Sequence, residues 1–219
     1  MIKFFLVGSY TGYSSWIKDK QFVKNIEDAD LIMFTGGEDI NPAIYGCEQY
    51  YNTYFSERRD AQELEAYSKI RPGQICVGIC RGAQLACALN GGRLIQDVSN
   101  HWIAGEHNMS AVCSDIEGEY KTLPIPSLHH QMMYPYDMPE SDYTLMYVSS
   151  GKKSDFYEGD KIDKRCIEKI NYFGEPEVVL FHKENNPEFL AIQGHPEMMD
   201  PESDTINFFN NLLIKLLEK

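Results

Sequence analysis

A cysteine between two glycines is the most specific chemical signal in the sequence. It lies in Gly78-Ile79-Cys80-Arg81-Gly82, between an apolar segment and a segment of small residues. A G-x-C-x-G stretch at such a junction is typical of a nucleophile elbow, a turn too tight for side chains at its flanks. A helix N-terminus and the adjacent Arg81 would both favour thiolate over thiol. The motif predicts that Cys80 is a nucleophile, and a buried cysteine in a tight packing corner is the structural alternative.

A cysteine nucleophile needs a base and a group that orients the base. The segment Gln193-Gly194-His195-Pro196-Glu197 offers both. Residues two apart in an extended segment project to the same side, so Glu197 can bind one ring nitrogen of His195 while the other faces the thiol. A surface loop that contains His and Glu by chance is the alternative. Because the segment follows an apolar run that would belong to the same sheet, we interpret Cys80, His195 and Glu197 as a catalytic triad.

A Gly-Gly turn is the third chemical element. Thr35-Gly36-Gly37-Glu38-Asp39 directly follows an apolar segment. A glycine turn at the carboxyl end of a strand can aim backbone N–H groups at an oxygen that becomes negative in a transition state. A plain turn without this role would have the same sequence.

The elements that must position these residues alternate in the first half of the chain. Apolar runs predict strands, and helical spacing or small residues predict helices. The predicted strands are residues 3–7, 30–35 and 74–79, and the predicted helices are residues 16–27, 58–70 and 82–89. A β-α-β start implies a parallel strand pair with a right-handed crossover.

The second half has shorter strands and more turns. Strands are predicted at residues 93–96, 110–112, 143–148, 178–181 and 189–193, of which the last two should form a hairpin. Residues 151–174 are charged and weakly patterned, which predicts a surface excursion. A closing helix over 204–219 places Ile206, Phe209, Leu213 and Leu216 on one face. The sequence therefore predicts one domain over residues 1–219, a three-layer α/β/α domain with a central mixed, mostly parallel sheet.

Composition restricts the partners. Twenty Lys and Arg against 33 Asp and Glu give a formal charge of −13 in 219 residues, which argues against nucleic acid because polyanion binding needs clustered cations. No segment approaches the roughly 20 apolar residues of a membrane span, and the apolar run at the amino terminus is too short for a signal peptide. We expect a cytoplasmic protein with no membrane partner, and homo-oligomers are compatible with the sequence.

The six cysteines are expected to be reduced. A chain of 219 residues needs no covalent staples, and without a secretory signal its thiols should stay free. The spacing of Cys76 and Cys80 does not suit a zinc knuckle, so no metal and no cofactor is predicted.

Taken together and in order, the motifs resemble a known family. They are Gly36-Gly37-x-Asp39-x-x-Pro42-x-x-Tyr45-Gly46, Gly78-Ile79-Cys80-Arg81-Gly82-Ala83-Gln84, Gly91-Gly92-x-Leu94-x-Gln96-Asp97, His129-His130-Gln131 and Gln193-x-His195-Pro196-Glu197. The sequence resembles the flavodoxin-like class I glutamine amidotransferase fold, and within it the γ-glutamyl hydrolase (peptidase C26-like) branch, which includes γ-glutamyl-γ-aminobutyrate hydrolases.

The resemblance implies a role for each matching residue. Cys80 corresponds to the nucleophile, His195 to its general base and acid, and Glu197 to the orienting group. The N–H groups of Gly37 and Arg81 correspond to the oxyanion hole. Four residues correspond to the substrate-binding side, with packing under the loop as the alternative for the two histidines: Gln84, His129, His130 and Gln131.

One further motif resembles the family, and three features depart from it. Arg58 and Asp60 resemble an Arg-Asp motif for which helix capping and loop bracing are favoured over catalysis. Gly194 replaces a common bulky aromatic, which would open the cleft beside His195. The segment before Gly36 is shorter than is usual in the family, so one strand–helix unit would be missing, and residues 151–174 are longer and more charged than expected.

The resemblance implies hydrolysis of the γ-glutamyl amide bond of glutamine or a γ-glutamyl-amine, through a thioester, with release of glutamate. The alternative is the glutaminase component of an amidotransferase, which would deliver ammonia to a separate synthase subunit. A catalytically dead binding module would predict a damaged triad, whereas Cys80, His195 and Glu197 are all present.

Overall fold

A nine-stranded sheet runs through the middle of the protein. The computed structural model describes residues 1–8 and 10–219, without the side chain of Glu119. Numbered in chain order, the strands lie in the sheet as follows: β2 (Lys20–Phe22), β1 (Ile2–Val7), β3 (Leu31–Phe34), β4 (Ile75–Ile79), β13 (Phe189–Ile192), β12 (Pro176–Phe181), β10 (Tyr143–Ser149), β7 (Trp102–Ala111) and β8 (Thr122–Leu128).

The sheet is mixed. The five strands from β2 to β13 are parallel to one another. Each remaining neighbour pair is antiparallel, so that only β12 and β7 run against the direction of the others within the described sheet. The predicted hairpin of the last two strands is present, with Val178 opposite Ile192 and Phe181 opposite Phe189.

Helices cover both faces of the sheet. They are α1 (Glu57–Ser68), α2 (Arg81–Leu89), α3 (Lys164–Phe173) and α4 (Asp204–Leu217). Alternate side chains of β3 enter different cores, because successive residues of a strand point to opposite faces. Leu31 and Met33 join the core that contains α4, whereas Ile32 and Phe34 join the core that contains α2. The predicted three-layer α/β/α fold is confirmed.

The closing helix packs as its spacing predicts. Ile206, Phe209 and Leu213 are fully buried and Leu216 nearly so. The Ser203 side chain caps the helix by accepting a hydrogen bond from the Ile206 N–H, which satisfies one of the free donors of its first turn.

A third apolar cluster lies outside the main sheet. It contains buried residues of two small antiparallel sheets and of α3; the sheets pair β5 (Arg93–Ile95) with β9 (Met132–Tyr134) and β6 (Asp97–Val98) with β11 (Tyr157–Glu158). Residues 151–174 lie mostly at the surface, as predicted, but they form β11 and α3 and are anchored by a few buried residues. Most side chains of α3 are charged or exposed, and Cys166 and Ile170, one turn apart, are its buried anchors.

The helix expected at residues 16–27 is not formed. Trp16 and Ile17 are buried in the core beside α4, and the chain then forms the short edge strand β2, parallel to β1. The predicted parallel pairing of β1 with β3 is nevertheless present.

Among the described residues, no helix has the length and apolarity to span a bilayer. The six cysteines, all of them described, are unpaired.

Candidate active site

The backbone at Cys80 has a conformation that L-residues rarely adopt, with φ 51° and ψ −105° at the junction of β4 and α2. The adjacent glycines leave no room for a side chain. A Cβ on Gly78 would lie 2.3 Å from the Gly82 carbonyl oxygen, and one on Gly82 would lie 2.2 Å from the Phe34 carbonyl oxygen. Strain of this kind persists only where the surrounding structure enforces it, and it is concentrated at functional sites. The local geometry is that of a nucleophile elbow.

The order of the strands brings the three predicted motifs together. Strand β4 lies between β3 and β13 and is parallel to both. The Gly36-Gly37 turn follows β3, Cys80 follows β4, and His195 follows β13. Because carboxyl ends of parallel strands meet at one edge of a sheet, these motifs share the edge at which α/β sheets bind ligands.

His195 and Glu197 are in direct contact. Nδ1 of His195 is 2.7 Å from a carboxylate oxygen of Glu197, and the histidine is buried. Residues 196–198 form a short 3-10 turn rather than the extended segment assumed from the sequence. Nε2 of His195 has no hydrogen-bond partner among the described residues. Hydrogen bonds between a catalytic base and its nucleophile are often long before substrate is bound.

The protonation of His195 follows from its neighbours. Burial opposes a charged ring, but hydrogen bonding and charge interactions with Cys80 and Glu197 outweigh burial and raise the pKa of His195 to about 10. At neutral pH the ring therefore carries protons on both nitrogens, and Nδ1 donates to Glu197.

Arg59 fixes the orientation of the Gly-Gly turn. Its guanidinium donates to the Gly36 carbonyl oxygen at 2.7 Å and to the Thr35 carbonyl oxygen at 3.2 Å. In a trans peptide the C=O and the following N–H point in opposite directions, so the N–H of Gly37 points away from this guanidinium. Gly37 has φ +146°, and a Cβ there would lie 2.0 Å from the arginine. The structure thus requires glycine at this position and holds its N–H in one direction.

The second predicted oxyanion donor is the backbone of Arg81, the first residue of α2. Its side chain behaves differently from the sequence-based expectation. The guanidinium is fully buried, 2.5 Å from Asp60 and in contact with Glu63. Two carboxylates neutralise this charge, so the expected stabilisation of the thiolate by the Arg81 side chain is not supported. The backbone position at the start of the helix is unaffected.

In the Arg-Asp motif, the arginine that makes contacts is Arg59 and not Arg58. Arg58 is exposed, whereas Arg59 contacts the Gly-Gly turn and Asp60 binds Arg81. The helix cap is the Ser56 side chain, which accepts from the Arg59 N–H. Asp60 also accepts from the Asn41 N–H. The loop-bracing role expected of this motif is therefore seen for Asp60, and the capping role belongs to Ser56.

Three of the four predicted substrate-binding residues, Gln84, His129 and Gln131, form one group near α2. The Gln84 amide donates to the Gln131 carbonyl oxygen at 2.9 Å, and Nδ1 of His129 lies 2.9 Å from the same oxygen. Burial keeps the pKa of His129 well below its usual range, so the ring is neutral and Nδ1 carries the proton. Its Nε2 and the Gln131 side-chain oxygen have no partner among the described residues.

His130 has other contacts. Its Nε2 is 3.0 Å from Asp39 and its Nδ1 is 3.4 Å from Asp97. The hydrogen bond to Asp39 is the main cause that raises the pKa of His130. This histidine therefore links the loop after β8 to the loop that follows the Gly-Gly turn. The His129 ring packs instead against His101, with ring centroids 4.6 Å apart.

Tyr13 covers the site from the amino-terminal side. Its ring centroid is 6.3 Å from that of His195, and a Cβ on Gly36 would lie 2.6 Å from its hydroxyl. Burial and the nearby Glu197 and Cys80 raise the pKa of Tyr13 to about 12, so the phenol stays protonated. A cavity of about 730 Å³ opens beside it, with Gly36 and Arg59 also in the lining.

Gly194 does not open the cleft, contrary to the sequence-based expectation. A Cβ there would lie 2.3 Å from the Ile125 side chain and 2.7 Å from the Pro126 carbonyl oxygen. That carbonyl also accepts the His195 N–H at 2.9 Å. Strand β8 therefore fills the space and holds the histidine backbone in place.

Sequence reasoning did not identify Tyr13 or Arg59. Tyr13 lies in a short segment without hydrophobic periodicity, and nothing in the sequence marks it. Arg59 is one of two adjacent arginines. Its spacing of four residues from Glu63, with which it forms an ion pair, is the one sequence feature that distinguishes it from Arg58.

The Peptidase C26 family model matches residues 15–136. The match includes the Gly-Gly turn and the Cys80 elbow and ends before His195. Two curated relatives from Lactococcus lactis are similar over 119 residues, 48% of this chain. One is "Putative glutamine amidotransferase-like protein YvdE homolog" of subsp. cremoris, at 30% identity over 63% of its length. The other is "Putative glutamine amidotransferase-like protein YvdE" of subsp. lactis (strain IL1403), at 31% identity over 50% of its length. The match thus spans less than two thirds of each relative.

Solved structures share the fold over nearly the whole chain. A "putative gmp synthase subunit a protein" from Thermoplasma acidophilum has a TM-score of 0.62 at 17% identity and covers 100% of this chain and 94% of its own. A glutamine amidotransferase from Thermotoga maritima has a TM-score of 0.57 at 13% identity and covers 99% and 94%. At these identities the comparison establishes the class I glutamine amidotransferase-like fold.

Proposed function

Because the chain belongs to the Peptidase C26 family, we propose that it is a cysteine-dependent hydrolase of γ-glutamyl amide bonds. The observation that carries the proposal is the strained conformation of Cys80 at the elbow, on the same sheet edge as a His195–Glu197 pair at 2.7 Å. Cysteine nucleophiles are typically activated by a base that a third group orients. The proposal treats residues 1–219 as one domain.

The first chemical step is attack of the Cys80 thiolate on the γ-carbonyl carbon. The carbonyl oxygen becomes negative and would be stabilised by the N–H groups of Gly37 and Arg81. Removing one such donor typically costs about 3–4 kcal/mol of transition-state stabilisation. Arg59, by binding the Gly36 carbonyl, would keep the Gly37 donor aligned.

His195 supplies the proton for the leaving amine. Its raised pKa means that the proton is present at neutral pH, and Glu197 keeps Nδ1 occupied so that Nε2 is the donating atom. The C–N bond breaks and leaves a γ-glutamyl thioester on Cys80. Water then attacks the thioester with His195 as base, and glutamate is released.

The acyl side of the substrate would meet Gln84, His129, His130 and Gln131. The buried atoms without partners in this group, the Gln131 oxygen and Nε2 of His129, are suitable for the polar head of a glutamyl group. We expect the pocket to recognise the α-amino and α-carboxylate groups and to be less selective for the amine. Comparable rates with simple acyl amides that lack this head would contradict the expectation.

The test is incubation of the purified protein with glutamine and with a panel of γ-glutamyl amines, with released glutamate as the readout. The Cys80→Ser protein is the matched control. The hydrolase is supported if the unaltered protein releases glutamate without any partner protein and the Cys80→Ser protein does not. No release from any member of the panel by the folded protein would contradict it.

A second function is favoured by the names of the relatives, which are glutamine amidotransferase-like. In it the same chemistry releases ammonia for a separate synthase. Turnover of glutamine that appears only when a synthase partner is added would replace the first proposal by this one.

A further inference from the structure

Two histidines and a glutamate form a buried cluster apart from the triad. His101 precedes β7, His107 lies within β7, and Glu177 lies on β12. Their ligand atoms lie within 4.8 Å of one another, and all three residues are buried. Nε2 of His107 is 2.7 Å from the Glu177 carboxylate, and Nδ1 of His101 is 3.7 Å from the same oxygen.

Several polar atoms of this cluster have no hydrogen-bond partner among the described residues. They are Nδ1 of His101, Nδ1 of His107 and one oxygen of Glu177. His101 and Glu177 are each 1% exposed. Buried polar atoms are normally satisfied, and exceptions call for a bound ion or water.

Glu175 completes the surroundings of His101. One of its oxygens is 3.4 Å from Nε2 of His101, on the opposite side of the ring from Glu177. A metal-bound histidine almost always directs its second nitrogen to a carboxylate, a carbonyl or water. The arrangement Glu175–His101 has this form if Nδ1 is the ligand atom.

The charges point in the same direction. Glu175 is well compensated, because it accepts hydrogen bonds from Ser149, Lys153, Ser154 and Tyr157 in addition to its contact with His101. The contacts of the Glu177 carboxylate within the described residues are with His101 and His107 alone. A buried carboxylate is costly unless it is paired or bound to a metal. A divalent cation bound to Glu177 would balance the charge of this carboxylate.

We propose that His101, His107 and Glu177 form a binding site for Zn²⁺, with Glu175 orienting His101. Two imidazoles and one carboxylate are a set that zinc accepts, with water in the fourth position. The prediction of no metal came from the cysteine spacing, which carries no information on this set: His101 and His107 belong to the segment of β7, and Glu177 belongs to β12. The site does not depend on the proposed hydrolysis, and its position suggests a structural role. The Gln193 N–H donates to the Glu177 carbonyl, so the ion would brace the strand end that carries His195.

The first experiment is titration of metal-free protein with ZnCl₂ by calorimetry, with bound metal counted by mass spectrometry. The Cys80→Ala protein is used so that a reactive thiol cannot bind the probe. We expect about one Zn²⁺ per chain and a rise in melting temperature on addition. With Co²⁺ as a second probe, we expect a tetrahedral visible spectrum without a thiolate charge-transfer band.

Three variants in the same background locate the ion: His101→Gln, His107→Gln and Glu177→Gln. Each should weaken binding by at least about tenfold. His182→Gln is the matched control, because that histidine is partly exposed and bonded to Thr144, and it should bind as the parent does. Absence of stoichiometric Zn²⁺ in the folded parent protein, a thiolate band with Co²⁺, or unchanged affinity in folded variants would overturn the proposal. If all three variants fail to fold, the titration and Co²⁺ spectrum of the parent protein decide.

Discussion

Cys80 differs from two neighbouring cysteines in both backbone and surroundings. Burial raises the pKa of Cys76, and it raises the pKa of Cys87 to about 12. Cys80 instead begins a helix and faces His195. The three cysteines are close in sequence, so the different surroundings of Cys80 follow from its position at the turn between β4 and α2.

We expect Cys80 to be the thiol that is alkylated fastest near neutral pH, because His195 lies beside it as a base, whereas burial raises the pKa of the Cys76 and Cys87 thiols. Peptide mapping after brief treatment with iodoacetamide measures this, and a γ-glutamyl substrate should protect the residue. Cys80→Ser should lower hydrolysis by at least about 10³-fold, with Cys113→Ser as the control. Near-normal turnover in Cys80→Ala would exclude the nucleophile assignment.

The imidazole of His195 should remain protonated through neutral pH and lose its proton only near pH 10, as its pKa indicates. The raised pKa means that this pairing stabilises the fold fully below about pH 6.5, the reference value. The stabilisation is lost as pH rises through about 10. Nitrogen-15 NMR of the ring measures the midpoint, which should fall in Glu197→Gln. A midpoint near 6.5 in the unaltered protein would contradict the ion-pair interpretation.

Arg59 and Arg58 are adjacent in sequence but unequal in structure, which provides a matched pair. Arg59→Gln removes the guanidinium that holds the Gly36 carbonyl. We expect kcat to fall about tenfold to a hundredfold, which is no more than the effect of removing one oxyanion-hole donor outright. KM should change little, because the hydrogen bonds of the Arg59 guanidinium do not involve the proposed substrate-binding residues Gln84, His129, His130 and Gln131. Arg58→Gln, an exposed change, should leave both constants as they are. Equal effects of the two substitutions on kcat would remove the positioning role.

At the scale of elements, α1 and α2 are joined by a buried ionic group. Glu63 lies between Arg59 and Arg81, and Asp60 binds Arg81 from the same helix. Removing one partner of a buried pair is costly because the remaining charge loses its compensation. The elbow helix is thus tied to the helix that also carries Arg59.

Glu63→Gln should lower the free energy of unfolding by about 3 kcal/mol, near the lower end of the range for a broken buried pair, because Asp60 still binds Arg81. Glu65→Gln is the control in the same helix, since its pair with Lys69 is exposed and little change is expected. Urea unfolding followed by circular dichroism gives both values. Equal stability of the two variants would mean that the ionic group contributes nothing.

The elements that could be predicted from sequence are those with a strong local pattern. Strands β3 and β4 are continuous apolar runs, and α4 buries one residue on every turn of a single face. Strand β2 was missed because only three residues pair and two of them are exposed. Helix α3 was missed because Cys166 and Ile170 alone are buried in it.

The site was predictable where one segment carries it and not where separate elements meet. The elbow glycines and the His195–Glu197 spacing are local features, so sequence could locate them. The direction of the Arg81 side chain depends on Asp60 and Glu63, about twenty residues away. The cluster of His101, His107 and Glu177 requires β7 and β12, which lie on either side of β10, and no local spacing indicates it.

At the scale of the molecule, hydrogen bonds connect the third apolar cluster to the main sheet. Glu175, just before β12, accepts hydrogen bonds from the Ser154 N–H and the Tyr157 hydroxyl. The Tyr136 hydroxyl donates to the Gly174 carbonyl at the end of α3. These buried contacts connect the cluster to the strands of the sheet, as one cooperative domain requires.

We therefore predict that both regions unfold at the same urea concentration. Trp16, buried beside α4, reports on the main core by its fluorescence in a Trp102→Phe background, since Trp102 is exposed. Cys166, 1% exposed, reports on the third cluster by its labelling, read by peptide mass spectrometry. Coincident midpoints are expected because exposing Cys166 requires separating α3 from β9, whose Met132 and Tyr134 are buried in the same cluster, and the loop before β9 holds Gln84 of α2. Labelling of Cys166 at clearly lower urea than the Trp16 transition would show instead that residues 151–174 form a separately unfolding unit.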